Sequence, residues 1–416
     1  MSSTFSALDR RGALAGVLLA CLASGPVLAQ ATPPPAPEAV SAVPAPQAAP
    51  APAATPAPAP APADKPADKP AAPKPPAPSG VVVKVNDSVN FRLGLMAQPW
   101  ADWSQDAASG GYVQNFLIRR ARILLGGQVA KNVFFFAETE NSRLGRATAT
   151  TTKNLGTGFS LLDAAVEWRI RKEFNVQAGL IRVPNSREAL KGASTNLSLD
   201  TSEYTFVASA AMSSPAGRDT GLMLRGWFAG DHLEYRFAGF QGARDAASRQ
   251  SFRWVGRLQY NVFDTEVYNF PSYVTNSLGT KKIVAIGAAF DVQKNYKGVT
   301  ADLFVDYPVG PGSVMTTLEY HYLDGGSTFP ATLPRSNAFS LEAGYYFKAA
   351  KVAAYGRYEQ REFTESDAKN EKRYVGGLNY YPFGHNFNIK AGYGRLSPQV
   401  GKQVSQFTIQ LQVYYF

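Results

Sequence analysis

The sequence predicts an all-β fold: a transmembrane antiparallel β-barrel of about 16 strands, preceded by a signal peptide and a disordered Ala/Pro-rich linker. Three observations predict it. Beyond residue 80 the apolar residues recur with a period of two rather than 3.6. The alternating segments are roughly 9–11 residues long, the length of a tilted strand crossing a bilayer. The connectors between them alternate between short and long, as turns on one side of a membrane and loops on the other do.

Residues 1–29 read as a signal peptide. Arg10 and Arg11 give a positive start, the run from Gly12 to Ser24 is apolar but too short to span a bilayer, and Val27-Leu28-Ala29 places small residues before Gln30. A second processing route stays open, because Leu18-Leu19-Ala20-Cys21 loosely resembles a lipoprotein cleavage box. Cleavage after Ala29 would leave a chain without cysteine, which suits an oxidising compartment.

Residues 30–80 are a spacer. They hold 18 of the 29 prolines. Proline lacks a donor and fixes φ, so this segment cannot pack a core and should run as an extended polyproline-like tether. At ~3.1 Å per residue it could reach on the order of 150 Å. It is expected to be an inert periplasmic spacer or a contact to peptidoglycan.

Residues 81–416 carry the alternation. Candidate strands fall at 90–103, 114–130, 132–140, 160–170, 174–183, 218–229, 233–241, 252–262, 282–292, 298–307, 313–323, 337–347, 351–363, 372–381, 387–396 and 403–416. In the first, Phe91, Leu93 and Leu95 alternate with Arg92, Gly94 and Met96. Between strands lie tight turns such as Lys131-Asn132 and long polar loops such as 141–159 and 184–217. Two connectors break the alternation: 263–281 is long on the short side, and 293–297 is short on the long side. Aromatics near strand ends (Trp100, Trp103, Trp168, Trp227, Trp254, Tyr345, Phe347, Tyr380, Tyr381) suggest interfacial girdles. The final Phe416 falls off the alternation that Phe407, Ile409, Leu411, Val413 and Tyr415 share. A soluble β-sandwich would alternate too, but would not need these girdles.

The net charge is +10, with one cysteine and three well-separated histidines, His232, His321 and His385. No cysteine-based metal site, nucleophile–base pair or glycine-rich phosphate loop can be assembled from these. Neither a cofactor, a metal, a nucleic-acid partner nor catalysis is expected. No segment after residue 30 is long and apolar enough for a membrane-spanning helix.

If the barrel holds water, its function is written on the inward face. Parity turns Arg120 and Arg122 inward, opposite a face of Leu117, Ala121, Ile123, Leu125 and Val129. Arg119 has outward parity and is expected to snorkel toward headgroups. The same reasoning points Arg225, Arg236, Arg253, Arg257 and Arg357 inward, with Arg361 and Lys390, and Arg182 less clearly. Guanidinium stays charged and forks two donors onto an oxyanion, so the set reads as an anion pathway. The alternative role is structural, with Glu138, Glu167, Glu234, Asp302, Asp306, Glu319, Glu342 and Glu359 available as partners. The longest loop, 184–217, is expected either to fold inward as a constriction carrying Arg187, Lys191, Ser194 and Thr195, or to cap the barrel outside.

Several segments resemble the phosphate-selective porin O and P family. They are Ile118-Arg119-Arg120-Ala121-Arg122 followed by Leu125-Gly126-Gly127, then Gly179-Leu180-Ile181-Arg182-Val183-Pro184 and Gly217-Arg218-Asp219-Thr220-Gly221-Leu222. Val255 to Asn261 and Gly376 to Tyr381 continue the likeness. The ordered set spans most of 90–416. The resemblance implies a trimeric, 16-stranded channel in a Gram-negative outer membrane that passes phosphate or other small anions. It carries an anion-contact role to Arg120, Arg122, Arg182, Arg218 and Arg257. No lysine cluster can be placed in the outer loops, and the Ala/Pro spacer is no part of the pattern. The competing readings are a general or acidic-solute porin with balanced lumen charge, and an envelope-tethering barrel.

Overall fold

The computed structural model describes residues 81–246, 248–268, 270–364 and 369–416. The expected signal peptide, Cys21 and the spacer lie outside the described residues.

Seventeen strands form one sheet. They are β1 (Val81–Asn86), β2 (Val89–Gln105), β3 (Tyr112–Ala130), β4 (Val133–Leu144), β5 (Ser160–Arg171), β6 (Phe174–Arg182), β7 (Arg218–Phe228), β8 (Leu233–Phe240), β9 (Arg253–Asn261), β10 (Ile283–Gln293), β11 (Tyr296–Val309), β12 (Gly312–Asp324), β13 (Ser336–Phe347), β14 (Val352–Phe363), β15 (Glu371–Phe383), β16 (Phe387–Pro398) and β17 (Val404–Tyr415). From β2 onward each pairs antiparallel with the next. β17 then pairs with β2, from Gln406 opposite Ser104 to Tyr415 opposite Leu95. The sheet is closed, a 16-strand barrel. Closure is what lipid demands, since an open edge would leave unpaired amides where no water can reach them. The short β1 was not expected; it pairs with β2 just beyond the end of β17, Val81 opposite Leu93.

The faces are inverted relative to a soluble protein. On β3, Ile123 is 50 % and Leu125 39 % exposed on the outer wall, whereas Arg122 is only 8 % exposed on the inner wall. Apolar side chains that water would expel face the lipid, and the charges line the interior. Strand β9 follows its expected parity throughout: Arg253, Arg257, Gln259 and Asn261 are inside, Trp254, Leu258 and Tyr260 outside.

Four expectations need correction. Ile118 pairs with Pro99 and Arg120 with Gln98, so Arg119 is an extra residue on β3, a β-bulge at a proline that offers no ladder donor. Beyond the bulge the parity reverses. Arg119 therefore does not snorkel outward: its Nε donates to Asp200, 2.8 Å away. For the same reason Leu117 is buried and Phe116 is the outward residue. Trp227 is not part of a girdle; it is fully buried, with the Arg225 guanidinium 4.7 Å from its ring. Tyr381 is also buried. Trp168, Trp254, Phe347 and Tyr380 remain on the exposed face.

Phe416, which breaks the terminal alternation, turns to the inner wall and meets Phe136 edge-on at 5.7 Å. It fits because Gly94 has no side chain: a Cβ there would lie 2.6 Å from the Phe416 ring and 2.3 Å from the Tyr415 carbonyl. Replacing Gly94 with leucine should therefore block the β17–β2 closure. The folded, fast-migrating band in unheated SDS electrophoresis should be lost for Gly94→Leu and kept for Gly158→Leu, where a Cβ meets nothing within 4 Å.

Candidate functional site

The loop joining β6 to β7, residues 183–217, folds into the barrel. Ser186 starts its first helical turn, α1 (Arg187–Leu190), by accepting from the Ala189 amide at 3.1 Å. A 3-10 turn follows at Ala193–Thr195 and a second short helix, α2, at Val207–Ala211. Groups from strands far around the wall hold the loop. Asp302 on β11 accepts from the Arg187 amide (3.3 Å) and Glu319 on β12 from the Glu188 amide (2.7 Å). Asn379 on β15 donates to the Leu197 carbonyl (2.6 Å), Gln412 on β17 to that of Ser194 (2.9 Å), and Lys390 on β16 to that of Asn196. These donors satisfy a backbone that has no ladder of its own. The loop thus lies inside the barrel and not as an external cap, with Arg187, Lys191, Ser194 and Thr195 all buried within it.

Every arginine assigned to the anion pathway lies inside, and each sits beside a carboxylate. Arg122 bonds Glu138 (2.6 Å) and Glu140. Arg218 bonds Asp163 (2.9 Å), and Arg182 lies 3.7 Å from Glu138 while donating to the Lys191 carbonyl. Arg225 lies 3.4 Å from Glu167 and Arg236 2.9 Å from Glu234. Arg253 pairs with Asp291 (2.7 Å), Arg257 with Asp302 (2.8 Å) and Arg357 with Glu342 (2.6 Å). In the loop, Arg187 forks onto both oxygens of Glu266 at 2.8 Å, and Lys191 pairs with Glu188. The deep wall is thus a belt of ion pairs rather than a row of free cations. Charges held out of water need such partners, and removing one partner is costly.

The exception is the outward-facing side of the loop. Asp200 is bonded by both Arg119 and Arg120. Burial acts to raise its carboxyl, but the two guanidiniums outweigh burial and hold it well below the usual carboxylate range. Arg143 stands beside this group, next to the Arg120–Ser142 pair on the β3–β4 ladder, and Arg146 follows it in the adjoining loop. Neither Arg143 nor Arg146 forms an ion pair with a described residue. Arg119, Arg120 and Arg143 thus stand near Asp200, with Arg146 beside Arg143 and with Glu140 and Glu203 the other carboxylates close by. The sequence reading missed Arg143 and Arg146 and misplaced Arg119; an alternation that ignores bulges carries no signal for them.

Residues 91–266 match the family model described as phosphate-selective porin O and P. The closed β-barrel is of the kind that solved porins have. The resemblance read from the sequence is borne out over that stretch. Solved porins share the fold at low identity. An anion-selective porin from Comamonas acidovorans is 12% identical with a TM-score of 0.54, over 79% of this chain and 100% of that one. OmpF of Salmonella typhi, in complex with daunomycin, is 14% identical with a TM-score of 0.53, over 80% and 100%. The in-vitro folded, trimeric form of OmpT from Vibrio cholerae is 10% identical with a TM-score of 0.50, over 79% and 100%. No curated protein matches the chain.

The paired belt has a testable energetic consequence. Arg257→Ala would leave Asp302 buried beside the loop without its main partner, and should destabilise the barrel by about 3–5 kcal/mol. Urea unfolding in lipid vesicles reads this directly; Arg395→Ala, at an exposed position on β16, should change little.

Proposed function

We propose that the barrel is a passive outer-membrane channel preferring small anions, with phosphate and related oxyanions as the solute class, and that it works without catalysis. The observation that carries this reading is that Arg119 and Arg120 converge on Asp200 while Arg143 stands beside them and Arg146 follows it, both without an ion pair to a described residue. An anion arriving from outside meets a local excess of guanidinium, each able to offer paired donors. Beyond it Lys390, buried, donates to the loop carbonyls of Asn196 and Ser198 and makes no ion pair with a described residue. The family description and the anion-selective porin of similar fold support the same direction. The trimeric OmpT of the same fold supports a homotrimer in lipid. In this reading residues 1–29 direct export and residues 30–80 stand in the periplasm, within reach of peptidoglycan.

A second reading has one observation in its favour. The deep wall pairs each arginine with a carboxylate, as a general or acidic-solute porin with balanced lumen charge would.

Reversal potentials across planar bilayers in a salt gradient decide between them. Anion preference is expected for the native channel. It should fall when Arg119 and Arg143 are both changed to alanine, rise for Asp200→Asn, and shrink in 1 M salt, where the Debye length is about 3 Å. Cation preference in the native channel would contradict the proposal.

A further inference from the structure

One long connector lies on the side of the barrel where the others are tight turns. Residues 262–282 join β9 to β10, and the strand order places them on the periplasmic side. The base of this connector is closed like a hairpin: the Asp264 amide donates to the Lys282 carbonyl (2.9 Å), and the Lys282 amide to the Asp264 carboxylate (2.8 Å). Beyond the base, Glu266, Tyr273, Thr275 and Asn276 are buried in the lumen.

There they cross the barrel. Tyr273 bonds Glu234 on β8, and the Ser277 amide bonds Asp306 on β11. Asn276 donates to the Tyr381 hydroxyl on β15 at 3.3 Å and accepts from His385, beyond β15, at 2.7 Å. The connector also docks on the constriction loop from below. The Tyr273 amide donates to the Leu190 carbonyl (2.9 Å) and the Gly192 amide to that of Tyr273 (3.0 Å). Thr275 donates to the Thr195 carbonyl (2.7 Å). Arg187, the basic residue at the start of α1, is enclosed by this contact. Glu266 takes two of its donors, and the rings of Phe304 and Tyr273 lie 3.9 and 4.5 Å from its guanidinium.

We infer that residues 262–282 are a second, periplasmic constriction and that Glu266 on it determines charge selectivity by cancelling Arg187 in the throat. The inference deepens the proposed channel and rests on it. It assigns the exit side of the throat to a strap built from a different connector than the external loop. Passage is narrowed from both ends, and the lower element carries the carboxylate that weakens the anion preference set above it.

Two variants test this in planar bilayers. Glu266→Gln keeps shape and a hydrogen-bond acceptor but frees the Arg187 charge. At 0.1 M salt it should raise the anion-to-cation permeability ratio about two- to threefold, with the effect lost at 1 M salt. Replacing 265–281 by Asn-Gly restores a two-residue hairpin turn on the existing base and leaves every strand intact; its single-channel conductance should exceed the native value. An unchanged ratio in Glu266→Gln, or native conductance in the shortened channel, overturns the inference. The native channel's own selectivity is a separate result. If it prefers cations the proposed function fails, yet Glu266→Gln must still shift the ratio toward anions if the strap lies in the pathway.

Discussion

Lipid offers a backbone amide nothing to bond to, and the rest of the architecture descends from that constraint. A sheet placed in such a solvent must close on itself, so β17 returns to β2 and sixteen strands form a continuous ladder. Closure creates an inside and an outside with opposite chemistry. The outer wall keeps Ile123, Leu125, Trp254 and Leu258, and the inner wall takes the ionisable groups. Even the last residue serves closure, because Phe416 seats over Gly94 at the seam.

The inner wall then faces a second constraint. Two connectors fold into the lumen and exclude water from much of it, and a charge withdrawn from water must find an opposite charge close by. The belt of Arg–Asp and Arg–Glu pairs answers that need. It also anchors the loop, since Asp302 serves both Arg257 and the Arg187 amide, and Glu319 serves the Glu188 amide. Where pairing is complete the wall holds shape; the proposed anion preference is assigned to the group around Asp200, where pairing is incomplete.

The fold was largely legible in the sequence because alternation with a period of two is a local property that lipid enforces on every strand. All sixteen expected strands have counterparts, and the odd length of the 263–281 connector was visible as an irregularity in spacing. Placement of Arg120, Arg122, Arg225, Arg236, Arg253, Arg257 and Arg357 inside followed from the same parity. The partners were not legible, since Arg218–Asp163 and Arg187–Glu266 join residues far apart in the chain. Parity itself failed at Gln98 and Pro99, where one extra residue on β3 reverses the faces and brings Arg119 inward. No periodicity could say that the 263–281 connector enters the lumen, or that Trp227 packs beneath Arg225 instead of facing lipid.

The central claim is that guanidinium-bearing positions of one strand face a conducting lumen while their immediate neighbours face lipid. Single cysteines on β3 test it most directly, with Cys21 as the only native cysteine. A membrane-impermeant, negatively charged thiol reagent added to channels in a bilayer should reduce the current when cysteine replaces Arg120 and leave it unchanged when cysteine replaces Ile123. Modification of both positions with equal effect, or block at Ile123 alone, would contradict the account.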